Sequence, residues 1–453
     1  FSNDTTTDPT VEVKNDVSGP LHIPLQKVLE VPAQQMQSAA RPFPKYGELV
    51  LGQRGIHDFC LDLAANSTLW TQNLINDQPV WLGSFANVAL AAYSWGMAGS
   101  SLADGELLWL QLSPWGPRMP YSLRDNEPKR ADPFPMSHFR CNSRSIFFMV
   151  DERLLVALDP TTGKIAWHSW APGGQIRPMA DGGRFYPHYQ TGDRFVVLQT
   201  TAGKWLTLDS QTGKLLHEGP AARPWPHPPP ALDERHFILS GAAGQVLLLD
   251  ADTGLIDWTY RPPGHSSLSG AAAQVLGDKG KLLALVPRNI GPELVRLDPA
   301  KGTALWSIPV LGDEFDIQTA ALDDNAVYFV CQNNMQARSL RDGRLLWKKK
   351  LPGTFSGWQT VRAGSSLLIY PRENLEPPRL ALGVFPLSMP IAYPILPKPR
   401  QERAILVIDP RNGEWMQRLP LADGPGPVTV QVRENCLVVC AGGKMSVFRG
   451  SRE

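Results

Sequence analysis

Apolar residues in this chain come in short β-rich runs bounded by turn formers. Arg153–Leu158 and Gln245–Leu249 are two such alternating runs, and Arg344–Lys349 is a third that follows a turn. Alternation over so few positions predicts antiparallel strands joined by tight turns. The unit that repeats is therefore strand, turn, strand, and the fold class is all-β.

The turn is the same one each time. Its fullest forms are Leu158 to Trp167 and Leu249 to Trp258, both of the pattern L-D-x-x-T-G-x-x-x-W. Aligned on the glycine and on the position four residues later, eight copies fall at Asn66/Trp70, Gly105/Trp109, Gly163/Trp167, Gly213/His217, Gly254/Trp258, Gly302/Trp306, Gly343/Trp347 and Gly413/Gln417. The acid four positions before the glycine is Asp62, Asp159, Asp209, Asp250, Asp298 or Asp409, and Ser101 and Ser339 take its place in the other two. Glycine suits a turn position with positive φ, and Asp or Thr can bond nearby backbone N–H groups. The tryptophan, at one fixed place per unit, is expected to pack against the neighbouring unit, because a lone sheet cannot cover its own face. The shortest spacings, about 40 residues, suit four short strands per unit.

This phrase resembles the repeat of the PQQ-like (quinoprotein-like) β-propellers, over roughly residues 45–450. The resemblance implies a β-propeller of four-stranded antiparallel blades, eight in number, and eight signatures are present. After the last signature the tail reads as three more strands, Val428–Val432, Cys436–Ala441 and Lys444–Arg449. The segment Leu25–Val31 can supply a fourth and remove an exposed sheet edge. Read literally that makes nine units. Eight is the expectation, because the first two signatures are degenerate and one of them need not form a full blade.

Residues 1–24 are expected to be a flexible leader or tether, since the first twenty are polar and poor in apolar side chains. Residues 25–453 are then a single propeller domain with insertions at about 110–137, 219–231 and 374–402. The chain begins at Phe1 rather than Met, which reads as a processed or truncated product consistent with a removed signal peptide. Charge is almost balanced, with 44 Lys and Arg against 43 Asp and Glu, so nothing favours nucleic acid. Five cysteines leave at least one unpaired. Cys436 and Cys440, four apart in a predicted strand, are about 13 Å apart and too distant to bridge.

The three insertions are rich in proline. The first two follow the fourth strand of a unit, and the third separates a second strand, Ser365–Tyr370, from a third, Ala404–Ile408. Strand parity sends all three to the face opposite the Asp–Gly turns. The third carries no charge over residues 380–396, and Pro386, Pro390 and Pro394 rule out a spanning helix. It either folds down as core or stays exposed to bind a partner or a lipid surface. The candidate partner-binding residues are Trp115, Met119, Tyr121, Trp225, Phe385, Met389 and Tyr393, since aromatic residues and Met are enriched at interface cores.

The resemblance makes a PQQ- and calcium-dependent dehydrogenase the enzyme reading to test. Such enzymes hold the quinone with an adjacent cysteine pair, which this chain lacks, and no residue here matches the calcium ligands or the base. A C-x-x-C-H haem attachment is absent too. The nine histidines are scattered, and the pairs Asp233/Glu234 and Asp323/Asp324 precede strands and read as turn acids. No catalytic, cofactor or metal residue is assigned, and no cofactor is expected. The reading is a non-catalytic scaffold that displays its proline-rich loops to a protein partner, as the resemblance to BamB-type propellers implies. That resemblance also implies an extracytoplasmic place, in the periplasm or envelope, in association with a membrane complex. A sugar-binding module or a dehydrogenase using the axial funnel is the alternative.

Overall fold

A computed structural model describes residues 21–112, 136–171, 185–220, 229–263, 272–310, 315–352, 357–371, 403–422 and 428–450, apart from 22, 34, 39–48, 55–56, 64, 66, 73–80, 94–95, 151, 202, 279, 289–290 and 434–435 within those ranges. The described residues form antiparallel sheets whose strands follow one another in chain order. We number the sheets 1 to 9 and letter their strands A to D. Sheets 1 to 8 span 35–72, 81–112, 136–170, 185–220, 236–260, 274–309, 321–350 and 358–420. Sheet 9 takes strands A to C from 429–450 and its strand D from Leu25–Pro32. Two compact units contain them, one with sheets 1–6 and the turn 340–344, the other with sheets 7–9.

There are thus nine sheets among the described residues where eight were expected. Both degenerate N-terminal copies form complete four-stranded sheets. In sheet 2 Ser101 replaces the acid, yet the Gly105 N–H still donates to the Ser101 carbonyl at 2.9 Å and Gly105 keeps φ 79°. The signature marks only the turn between strands C and D. Sheet 9 has no such turn, because its strand D arrives from the other end of the chain, so eight signatures accompany nine sheets. The pairing runs antiparallel from Leu25 against Gly450 to Pro32 against Lys444. Order also begins before the strand, since Leu21 is buried in the core of sheets 8 and 9 with Ile23 packed against it.

Alternation is not general. Strand C of sheet 3, Leu154–Leu158, is buried at every position, and so is strand B of sheet 4, Phe195–Thr200. These strands lie between neighbours that cover both faces, and within each unit apolar cores fill the junctions between consecutive sheets. Phe147 and Met149 of sheet 3 meet Val196 and Leu198 of sheet 4, and Tyr328 of sheet 7 meets Leu367 and Ile369 of sheet 8. Strand D alternates instead, with large apolar side chains left in solvent near its start, Leu255 at 66 % exposure among them. Sheet 5 has three strands rather than four. Pro229 and Pro230 occupy the place of its strand A and have no N–H to donate, so among the described residues that edge keeps the Ala231–Phe237 bridge, with Ile238 N donating to the Pro230 carbonyl and Leu232 N to the His236 carbonyl, both at 2.9 Å.

Candidate functional site

The repeated turn is a small hydrogen-bonded cage. In sheet 3 the Thr161 N–H and hydroxyl donate to Asp159 Oδ1 at 2.8 and 2.7 Å, and the Thr162 hydroxyl donates to Oδ2 at 2.8 Å. In sheet 4 Asp209 accepts from Gln211 N, Thr212 N and the Thr212 hydroxyl. Burial acts to raise these two carboxyls, but the turn's hydrogen bonds outweigh it, so both sit below the usual carboxylate range. The glycine closes the cage. Gly163 N donates to the Asp159 carbonyl and Gly213 N to that of Asp209, each at 2.9 Å, with φ of 70° and 69°.

That glycine carries the neighbour's tryptophan. A Cβ on Gly213 would come within 2.4 Å of the Trp167 ring, and one on Gly163 within 2.4 Å of Trp109. The indole N–H of each plate donates to a carbonyl of the turn it covers: Trp70 to Leu102, Trp109 to Pro160, Trp167 to Ser210, Trp258 to Pro299, Trp306 to Leu340 and Trp347 to Pro410, at 2.7 to 3.1 Å. His217 keeps the arrangement, lying on Gly254 with Nε2 2.9 Å from the Asp252 carbonyl. Gln417 changes it. Its Oε1 accepts from Leu25 N and its Nε2 donates to Leu25 O, both at 2.7 Å. An amide replaces an indole where the neighbour offers the start of a strand instead of a glycine turn.

Further polar groups gather around the repeat acid in sheet 5. Asp250 accepts from Arg235 Nε at 2.7 Å and also from Arg235 Nη2, and this pairing holds its carboxyl well below the ordinary range. His236 lies between two carboxylates, with Nδ1 2.8 Å from Asp233 and Nε2 3.4 Å from Asp257. Asp233 also accepts from the Arg235 and His236 N–H groups, both at 2.7 Å, which is the work of a turn acid. Asp323 does the same for Asn325 and Ala326.

A buried carboxyl stands apart. Asp58, in strand C of sheet 1 (His57–Asp62), is 6 % exposed. The Tyr93 hydroxyl from strand B of sheet 2 donates to its Oδ2 at 3.3 Å, and Oδ1 has no hydrogen-bond partner among the described residues. Burial pushes the carboxyl up to about 6, and the tyrosine bond pulls it only part of the way back. Sequence reasoning missed Asp58. The signal available was its place two residues before Cys60, which puts a carboxyl on the same face as an apolar core residue.

Among the described residues no group of three His, Cys, Asp or Glu side chains is placed to hold a metal ion. Cys60, Cys331, Cys436 and Cys440 are buried. No two cysteines are adjacent in the sequence, so the quinone-holding cysteine pair has no counterpart. Trp115, Met119, Tyr121, Trp225, Phe385, Met389 and Tyr393 all lie outside the described residues. The strands that flank them are described. Residues 113–135 follow strand D of sheet 2, 221–228 follow strand D of sheet 4, and 372–402 separate strands B and C of sheet 8, which pair with each other. Each connection leaves its own sheet at the end opposite the Asp–Gly turn.

Residues 150–370 match the family model described as outer membrane protein assembly factor BamB. Over that stretch, a little under half of the chain, the repeat is similar to that of the PQQ-like propellers. BamB from Moraxella catarrhalis is similar in fold, with 16 % identity and a TM-score of 0.51, covering 82 % of this chain and 97 % of that one. The C-terminal WD40 domain of Sif2 is similar at 9 % identity and a TM-score of 0.51, covering 94 % and 99 %. The computationally designed Ika8 protein is similar at 14 % identity and a TM-score of 0.50, covering 82 % and 96 %. At these identities the likeness is one of fold. Among curated protein sequences none matches the chain. Among the described residues of this propeller no helix is long and apolar enough to cross a membrane.

Proposed function

We propose that this propeller is a non-catalytic scaffold of an extracytoplasmic or envelope complex, and that it binds a protein partner through its proline-rich connections. The observation that carries the reading is the family match over residues 150–370, whose description is that of an assembly factor. Strand order supports the choice of surface, because the three connections leave sheets 2, 4 and 8 at the ends away from the turns. On this reading the propeller acts as one domain that takes in the buried Leu21, with the residues before it as a tether. Trp115, Met119, Tyr121, Trp225, Phe385, Met389 and Tyr393 make the contact, since aromatic and Met side chains supply anchors at low entropic cost.

Native mass spectrometry of the protein isolated gently from its own source tests this. The expected result is a retained protein partner with no small cofactor. A bound mass of a few hundred daltons together with calcium would instead establish the quinoprotein dehydrogenase. A second test deletes residues 380–396. The deletion is expected to leave thermal unfolding unchanged and to abolish partner capture. Loss of the cooperative transition would make that segment core and remove the main support for an interface there.

A further inference from the structure

The strand D edges differ in charge, and one of them is unlike the rest. On sheets 4, 5 and 9 a charge in strand D has an answer. Glu218 of sheet 4 is 3.1 Å from Lys204, Asp257 of sheet 5 faces His236, and Glu30 of sheet 9 lies 2.7 Å from Lys27 and 2.8 Å from Lys444. Strand D of sheet 7, Leu345–Lys350, ends in Lys348, Lys349 and Lys350, which form no ion pair among the described residues. Their cross-strand neighbours in strand C, Gln336, Met335 and Asn334, are uncharged. That strand, Asn334–Ser339, contains no carboxylate and adds Arg338. Leu345 and Leu346, at the start of the edge, are 42 % and 45 % exposed.

The far side of this strand pairs with no other strand among the described residues. It therefore offers a row of backbone donors and acceptors, the template on which an extended segment can add. Lys348 and Lys350 project to one side of the strand, the side opposite Trp347, and are spaced by about 6.7 Å, two strand residues. An incoming strand has the same spacing, so acidic side chains at alternate positions of such a strand fall opposite both lysines. The same lysines disfavour other occupants. A second copy of this edge would set Lys against Lys, and a neutral strand would leave the ammonium groups unanswered.

We propose that strand D of sheet 7 is a docking edge for an extended acidic segment of a partner protein, added as a fifth strand with carboxylates opposite Lys348 and Lys350. This surface is distinct from the proline-rich connections, and the two stand or fall separately.

The test uses the full chain and a short fluorescent peptide that alternates Glu with Val. Fluorescence anisotropy is expected to report binding that weakens at least tenfold in the K348E/K350E variant and weakens again as salt is raised. A Lys–Val peptide is expected to bind that variant and not the parent. Amide hydrogen exchange is expected to slow across residues 345–350 when the Glu–Val peptide is bound. Equal binding of a Glu–Pro peptide, which cannot pair as a strand, would overturn the proposal by reducing it to charge attraction. Unchanged exchange at 345–350 would overturn it, as would binding of phosphatidylglycerol vesicles without binding of the peptide. The milder K348Q/K350Q variant keeps the test decisive should the charge reversal disturb folding, with loss of peptide binding again expected.

Discussion

The junction between sheets 3 and 4 and the junction between sheets 4 and 5 use the same turn and differ in what lies on it. At the first, Trp167 is buried on Gly213, joins a core containing Phe147, Tyr189 and Phe185, and spends its one polar group on the Ser210 carbonyl. At the second, His217 occupies the plate's position on Gly254, and sheet 5 has lost its strand A to prolines. Charge takes over part of the work there. Arg194 reaches Asp252 at 2.9 Å, and Arg235 clamps Asp250 within the turn itself. Exposed pairs such as Arg194–Asp252 are worth little individually. Both junctions keep an apolar core, with Phe195, Trp205 and Phe237 in the second, so the contrast is confined to the plate position, where one junction relies on a buried indole and the other on an imidazole with charged neighbours.

The sharpest way to break the comparison is Trp167→Ala. Removing a buried plate of this size is expected to cost about 3–5 kcal/mol, read as a shift in the chemical denaturation midpoint. A loss under 1 kcal/mol would mean that the turn hydrogen bonds, and not the plate, hold these junctions. A third junction extends the contrast. Asp58, between sheets 1 and 2, has a folded-state pKa raised from 3.8 to about 6. Its favourable contribution is fully present below pH 3.8 and is lost as pH rises through 6. Relative to Asp58→Asn, the parent is therefore expected to lose stability between pH 4 and pH 7, by up to about 3 kcal/mol at the upper end. Parallel stability curves for the two proteins over that range would show the carboxyl to be solvated. The smallest effect is expected from His217→Trp, which restores the plate at the polar junction. A gain of about 1 kcal/mol in unfolding free energy is expected, as for other filled positions, and a loss would mean that sheet 5 has shaped its surface to the imidazole.

Much of this architecture was legible in residues with one task each. Asp159, Gly163 and Trp167 recur because a cage, a positive φ and a plate each demand a particular side chain, so the propeller could be read from them. The number of sheets was harder, because the signature belongs to the C–D turn and sheet 9 has none. Gln417 was the available hint: an amide in a tryptophan position marks where a strand, not a glycine turn, comes next. Strand burial was misread at Leu154–Leu158, where period-two alternation was expected but sheets on both sides cover every residue. The polar groups of sheet 5 and the Asp58 carboxyl were not legible, since each depends on side chains brought together from different strands. The loops bearing Trp115 and Phe385 contain no repeat from which to reason.

The pairing of Leu25–Pro32 with Lys444–Gly450 also imposes an order of events on synthesis. The edge strand of the last sheet is made before sheets 1 to 8, and its partner follows about 400 residues later, or roughly 20–80 s at ordinary translation rates. Through that interval the segment has nothing to pair with, while sheets 1 to 8 can assemble as they emerge. A nascent chain stopped anywhere before residue 444 carries an orphaned strand ahead of its first sheet, a visible mark of incompleteness that a chaperone or protease can read.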